Sequence, residues 1–400
     1  MLNSVATREA PRPRTGRSGG PDQSREECEM TDTKILVVGG GIAGLTTAAA
    51  MARKGLSVDL VERKPELSDA GGIGLTLVGN ALRALEEIGA VQKCLDTGVW
   101  ADSQAVHTQD GTLVIDLPQP RIGGAHLPTN LNIKRRNLHR ALVDAAVDAG
   151  VTMRCSMTVT DWEEIGDAMQ VTLSDSSTGE YALLVAAEGV ASPTRKRLLP
   201  ELEPEFSNAI VWRAKTPRIE GLDRSHIYIG ENKSVVGIVP LDDTDAYIYI
   251  GQSSEDSSRR DDDTLHVQMR ELLEGFGGFV PELSQHITSP EDVWCRPVIT
   301  MLLPVPWHRG RAVIIGDAAH VHSPSLSQGA AMGIEDGIVL ADEVARHPDD
   351  IATALDGFNA RRFDRVKAII DGSSELETAK SQQDLGRIRQ SILKLMAEPL

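Results

Sequence analysis

Apolar and glycine positions alternate near the start of the chain in a way that predicts a strand, a helix and a second strand in quick succession. Residues 34–38 form a short apolar run that stops at glycines, the pattern of a buried parallel strand. Residues 42–54 carry helix formers and end at Gly55, and residues 57–62 read as the second strand. Residues 71–79 are rich in glycine and predict a loop, followed by a helical run over 80–88. Residues 103–116 alternate as strands do, and 136–149 predict an amphipathic helix with Leu138, Leu142 and Val143 near one face. The segments 151–160, 168–174 and 181–187 resemble strands of a meander.

From residue 205 to 302 the pattern turns to β-rich alternation, with a helix near 264–276 inserted. Residues 312–315 predict another buried strand, 329–345 a helix, and the stretch from 350 onward is helical and charged. No internal repeat is visible.

Composition narrows the class. The 400 residues suffice for two interleaved domains, and 41% hydrophobic with 25% charged residues is ordinary for a globular protein. A net charge of −17 argues against broad contact with nucleic acid or an anionic membrane, where basic patches supply the attraction. Cys28, Cys94, Cys155 and Cys295 lie far apart with no CxxC pair, which points to a reducing cytoplasm and to no metal site. The longest apolar stretch, residues 37–52, is broken by glycines and falls short of a membrane span. Residues 1–31 read as a disordered tail, with Met30 as a candidate natural start.

The first chemical motif is Gly39-Gly40-Gly41-Ile42-Ala43-Gly44, a GxGxxG between a strand and a helix. Glycines here permit a tight turn, backbone approach to a pyrophosphate and close helix–strand packing, while the helix start offers free N–H groups to phosphates. Glu62 closes the second strand, placed to hydrogen-bond a ribose hydroxyl, and Arg63 follows on the adenine side. The motif implies a dinucleotide without separating FAD from NAD.

A second set of motifs is more specific. Gly316-Asp317-Ala318-Ala319-His320 follows a strand, with Pro324, Gln328-Gly329 and Glu335-Asp336 beyond it. With these residues the chain resembles the single-component flavin aromatic hydroxylases typified by para-hydroxybenzoate hydroxylase and salicylate hydroxylase. The stretch Ser327–Met332 is similar to 6-hydroxynicotinate monooxygenases, and the resemblance runs from Thr33 to about residue 370. It implies an α/β (α+β) fold: a Rossmann-like FAD-binding domain (32–102, 132–204 and 303–345), a β-sheet substrate domain (103–131 and 205–302) and C-terminal helices (346–400).

Carried over position by position, the resemblance puts Asp317, after Gly316, on the FAD ribityl chain and Pro324 beside the flavin ring. It directs backbone N–H groups of Gly329, Ala330 and Ala331 at the flavin pyrimidine, where a helix start stabilises negative charge. The family's DGxxSxxR motif stands here as Glu188-Gly189-Val190-Ala191-Ser192-Pro193-Thr194-Arg195, with a glutamate in the aspartate position. Arg195 would position the pyrophosphate or the incoming nicotinamide, and Arg135 (or Arg136) matches an arginine that contacts FAD at a helix start.

The resemblance implies hydroxylation of a small aromatic substrate, phenolic or hydroxypyridine-like and with or without a carboxylate, using NADH or NADPH and O2 through a flavin hydroperoxide. A flavin epoxidase or oxidase of the same fold, or a non-catalytic FAD-binding redox module, stays open beside it; a homodimer is allowed. Among candidate bases stand His320 and His322, of which at most one is expected to reach the pocket, and His322 is preferred. Tyr247 and Tyr249 share a strand face and are candidates for the substrate wall, and Arg213 or Arg296 could hold a substrate carboxylate.

Overall fold

A computed structural model describes residues 34–67, 71–231, 234–258, 260–379 and 381–400. The tail expected over residues 1–31 lies outside the described residues. From Lys34 onward the described residues form one compact unit.

The predicted strand–helix–strand opening is Lys34–Val38, Ile42–Arg53 and Ser57–Glu62. It seeds a six-stranded sheet ordered His308–Arg309, Ala312–Ile314, Leu183–Ala186, Lys34–Val38, Ser57–Glu62, Thr152–Cys155. Five of these strands run parallel, and His308–Arg309 pairs antiparallel at one edge. Ile35, Leu36, Val37 and the whole of Leu183–Ala186 are fully buried, as befits strands covered on both faces.

This corrects the expected meander over 151–187. Only Val159–Ile165, Ala168–Leu173 and Thr178–Tyr181 form it, while Thr152–Cys155 and Leu183–Ala186 belong to the parallel sheet. The physical reason is burial: Leu183–Ala186 is continuously apolar, and the alternating Ala168–Leu173 is not. The loop expected over 71–79 is corrected as well. Gly74–Val78 is a strand paired antiparallel with Asn130–Lys134, and Thr76 donates to the Asn132 side chain across it at 2.8 Å.

The β-rich region forms an eight-stranded sheet, with Glu205–Pro217 and Asp245–Ser253 at its centre. The short strand His320–Val321 pairs with Val293–Leu302 at its edge. Because His320 follows Gly316–Ala318 directly, the chain steps from one sheet to the other at the second motif.

Behind that step lies a buried ionic network. Helix Gly329–Arg346 supplies Glu335 and Asp336; helix Ile351–Thr378 supplies Arg362 and Arg365. Arg362 donates to Asp336 (2.8 Å) and to Glu335 (2.7 Å), and Arg365 donates twice to Glu335 (2.8 and 2.9 Å). Asp336 also accepts from the Gly316 N–H (2.9 Å) and from His320 Nε2 (2.7 Å). Burial would raise the Asp336 pKa, yet His320 and Arg362 hold it at about 2.

Removing one partner from such a group leaves charge buried and uncompensated. Arg362→Leu should therefore lower the unfolding free energy by about 3–5 kcal/mol in a urea titration. A loss below about 1 kcal/mol would mean the carboxylates find other partners or take up protons.

Candidate functional site

Both glycine motifs owe their place to close packing. A Cβ on Gly44 would sit 1.9 Å from the Gly39 carbonyl oxygen, and one on Gly39 (φ +110°) 2.3 Å from the Ala187 oxygen. Only glycine lets helix and strand approach this far. Along the same helix, a Cβ on Gly333 would come within 3.2 Å of the Ala43 side chain, and one on Gly337 within 2.8 Å of Thr47. Gly316 lies equally close, its Cβ position 2.8 Å from that of Ala43. The two motifs, almost three hundred residues apart in sequence, are in direct contact.

They open on one cavity of about 1820 Å³. Of the fingerprint, Gly39, Gly41, Ile42 and Ala43 line it, and so do Glu62 and Arg63. Arg135 lines it as well; Arg136 is not on its wall. The wall continues through Glu188, Gly316, Asp317, His322, Pro324, Gly329 and Ala330 to Arg213, Tyr247 and Tyr249 in the eight-stranded sheet. Arg296 is elsewhere, its guanidinium on the Cys295 carbonyl at 2.8 Å.

Three further named residues do not reach the wall. Gly44 and Ala331 lie behind it, Gly44 in the helix–strand packing and Ala331 buried as the third residue of its helix. Arg195 is the substantive correction: its side chain is fully buried and Nη1 donates to the Ala318 carbonyl at 3.4 Å. The cause is local. Ser192 caps helix Pro193–Leu198 while Glu188 accepts from the Ser192 hydroxyl (2.5 Å) and the Thr194 N–H (3.0 Å), which turns Arg195 inward beneath the Gly316–Ala318 turn. Its Nε and Nη2 have no hydrogen-bond partner. Arg195 is thus placed to support that turn and not to touch a ligand in the cavity.

The polar groups that remain free fit a dinucleotide with a flavin ring. Helix Ile42–Arg53 begins at Gly41 with no side-chain cap, and a Cβ on Gly41 would meet nothing within 4 Å. Helix Gly329–Arg346 also starts uncapped, and neither helix has an acid in its first turn. Both starts therefore present N–H groups and partial positive charge to the cavity. Asp317 is the exposed residue in an otherwise buried stretch from Ala312 to His320, and it is exposed into that space. Glu62 anchors the glycine turn by accepting from the Gly40 N–H at 2.7 Å and from the Lys64 N–H at 2.9 Å.

The two histidines part because the strand His320–Val321 ends before His322; a continuous strand would have put both on one face. His320 is buried on Asp336, whereas His322 faces the cavity. His322 Nδ1 lies 2.9 Å from the Ser323 carbonyl, which can only accept, so the ring proton sits on Nδ1 and Nε2 is left as an acceptor. Burial pushes its pKa below the ordinary histidine value.

Sequence reasoning missed three contributors. His139 lines the cavity and donates from Nε2 to the Gly40 carbonyl at 2.8 Å. Glu377 accepts from the Ser323 and Ser325 hydroxyls on either side of Pro324. Arg389, on the terminal helix Gln382–Ala397, also lines the wall. No motif marks any of them; only the fold brings them here.

Comparison with known proteins agrees with this geometry. Residues 32–373 match a family model described as an FAD binding domain. The chain is 30% identical to 3-hydroxybenzoate 6-hydroxylase 1 of Aquipseudomonas alcaligenes, over 84% of this chain and 86% of that one. It is 28% identical to 6-hydroxynicotinate 3-monooxygenase of Pseudomonas fluorescens, over 86% and 92%. In fold it is similar to Klebsiella pneumoniae HpxO, solved with FAD and uric acid, at a TM-score of 0.78, 23% identity and coverage of 91% and 94%.

The glycine geometry separates fold from binding. Gly44→Ala should cost about 1–3 kcal/mol of stability by overpacking. Gly41→Ala should change stability by less than about 0.5 kcal/mol while weakening FAD, as read by urea melts and by titration of the apoprotein. Equal effects on stability would mean Gly41 is not at an open wall.

Proposed function

The chain belongs to the FAD-binding-domain family and is an FAD-dependent monooxygenase, and from that premise we propose that it hydroxylates a small phenolic or hydroxypyridine-like ring using NADH or NADPH and O2. One observation carries the reading: two uncapped helix starts and the free Asp317 carboxylate open on a single cavity that extends to Tyr247 and Tyr249. We further infer that the parallel sheet with its helices forms the cofactor half and the eight-stranded sheet the substrate half.

When bound, FAD supplies the electron transfer and oxygen activation. The protein's part is to bind, orient and exclude water. In this reading the start of helix Ile42–Arg53 holds the pyrophosphate, with Glu62 on the ribose and Asp317 on the ribityl hydroxyls. The start of helix Gly329–Arg346 stabilises negative charge at the pyrimidine edge of the ring. Pro324, in the turn between His322 and that helix, bounds the ring side of the cavity.

We infer that His322 is the residue suited to take a substrate proton, because its ring lines the cavity and Nε2 has no hydrogen-bond partner. The sign follows from its depressed pKa: the neutral, accepting form persists to lower pH than for an exposed histidine. The rate should fall only below the ordinary histidine range. The free thiols Cys94, Cys155 and Cys295 suit a reducing compartment, and among the described residues no helix is long and apolar enough to cross a membrane.

Purified protein should be yellow, release FAD on denaturation and oxidise NADH or NADPH faster when a hydroxybenzoate or hydroxypyridine is added. Tight FAD without such stimulation by any aromatic offered would favour a non-catalytic module. Asp317→Ala should raise the FAD Kd by about tenfold or more, equivalent to about 1.4 kcal/mol; an unchanged Kd removes the ribityl assignment. His322→Gln should lower kcat by about 100-fold and abolish the acid limb of the pH profile. A variant that keeps that limb would assign the proton to another group.

A further inference from the structure

Between the buried network and the start of helix Gly329–Arg346 the chain crosses the cavity wall on a short turn whose two ends are well held. At one end Asp336 accepts from the Gly316 N–H and from His320. At the other, the Gln328 and Asn80 side chains exchange two hydrogen bonds (3.0 and 3.3 Å). The middle has little of its own to hold it. Pro324–Leu326 is one tight helical turn, closed by the Ser327 N–H on the Pro324 carbonyl (2.9 Å) and by a long contact from the Ser325 N–H to the Ser323 hydroxyl (3.4 Å). Ser327 then takes φ +55°, in the left-handed region that a residue with a Cβ rarely adopts. Such a conformation persists only where the surroundings impose it. Pro324, Ser325 and Ser327 are exposed, and all three line the cavity.

What fixes the middle comes from another helix. Glu377, near the end of helix Ile351–Thr378, accepts with one carboxylate oxygen from the Ser323 hydroxyl and from the Ser325 hydroxyl (2.9 Å). The two hydroxyls lie 2.7 Å apart, so three side chains converge beside Pro324. Leu326 adds an apolar contact to the same helix, since a Cβ on Gly372 would lie 3.7 Å from its side chain. Arg362 and Arg365 lock that helix to Glu335 and Asp336. The turn is therefore referred to the same core from both sides.

These bonds reach His322 in one step. Ser323 gives its hydroxyl to Glu377 while its carbonyl accepts from His322 Nδ1 at 2.9 Å. A shift of Ser323 moves the acceptor that keeps the ring proton on Nδ1.

We propose that Glu377 is a positioning residue for the reaction: by gathering the two serine hydroxyls it sets Pro324 against the bound flavin and holds His322 in its Nδ1-protonated tautomer. This rests on the reading of the cavity as a hydroxylase site and adds to it a residue that acts through others, from a helix outside both glycine motifs. The role needs an acceptor oxygen and not a negative charge. A glutamine carbonyl has two lone pairs and can accept both hydroxyls, whereas alanine accepts neither.

The test compares Glu377→Ala, Glu377→Gln and the double variant Ser323→Ala/Ser325→Ala in the FAD-loaded protein. Glu375→Gln is the control, on the same helix and off the cavity wall. Three quantities are read: the visible circular dichroism of the bound flavin, the His322 tautomer by ring nitrogen NMR (assigned with His322→Gln), and product formed per NADH or NADPH consumed. Glu377→Ala should alter the flavin dichroism, turn the single His322 tautomer into a mixture and lower product per reduced nicotinamide about threefold or more. Glu377→Gln should stay within about twofold of the parent, and Glu375→Gln should match it. The serine double variant should reproduce Glu377→Ala, and combining the two should add nothing further. Should Glu377→Ala fail to fold, the serine variant against Glu377→Gln makes the same comparison. An unchanged His322 tautomer or unchanged flavin dichroism in the alanine variants overturns the proposal, as do additive effects. Glu377→Gln as damaging as Glu377→Ala overturns it too and assigns the role to the charge. The two readings fail separately. Dichroism and tautomer are read without turnover and decide the role of Glu377 even if no aromatic is hydroxylated, while full coupling in Glu377→Ala defeats only the positioning role.

Discussion

The ionic network behind the second motif is the constraint from which the rest of the architecture hangs. Glu335 and Asp336 carry charge in the interior, which is tolerable only because Arg362, Arg365, His320 and the Gly316 N–H surround them. Those partners come from three different pieces of the molecule. Gly316 begins the turn that exposes Asp317, His320 opens the strand into the second sheet, and the two arginines come from the long helix behind. Satisfying two carboxylates therefore fixes a turn, a strand start and two helices against one another. The position of His322, two residues past His320, follows from the same bonds.

Packing supplies the second constraint. The fingerprint helix and the Gly329–Arg346 helix meet through Ala43, Thr47, Gly333 and Gly337, where added side-chain atoms would collide. Small residues let the two helix starts approach one cavity from neighbouring positions. An acidic chain can in this way present locally positive surfaces to an anionic ligand, because uncapped helix termini contribute to the field inside the cavity while two of the carboxylates that line it, Glu62 and Glu188, are engaged by neighbouring donors. Glu188 is folded onto its own loop, and Glu62 onto backbone N–H groups of the glycine turn and the second strand. The ionic pair Lys134–Asp245 (2.5 Å) ties the Asn130–Lys134 strand, part of a three-stranded sheet with Gly74–Val78 and Val99–Trp100, to the eight-stranded sheet.

Several elements were legible because their signal is local. Glycine spacing, the apolar run before it and the acid at Glu62 all lie within one supersecondary unit, where chain geometry alone sets what faces what. His320 and His322, two residues apart, would share a face in a continuous strand, and they separate only because the strand ends at Val321. The strand at Gly74–Val78 was hidden because its glycines read as a loop until Asn130–Lys134 supplies a partner. Arg195 was misplaced because its motif specifies a helix start but not which way the side chain turns; Glu188 and Ser192 decide that by hydrogen bonds.

By itself, then, the amino-acid order determined the glycine turn, the fold class and the second motif that opens on the same cavity, since each is written in contiguous residues whose backbone conformation their own side chains dictate. Tertiary structure alone decided that Arg195 sits beneath the wall, that Glu377 flanks Pro324 and that Arg389 lies on the cavity wall. These outcomes depend on contacts between segments tens to hundreds of residues apart. Such contacts are selected by burial, volume and charge compensation across the whole core, and no periodicity in a single segment encodes them.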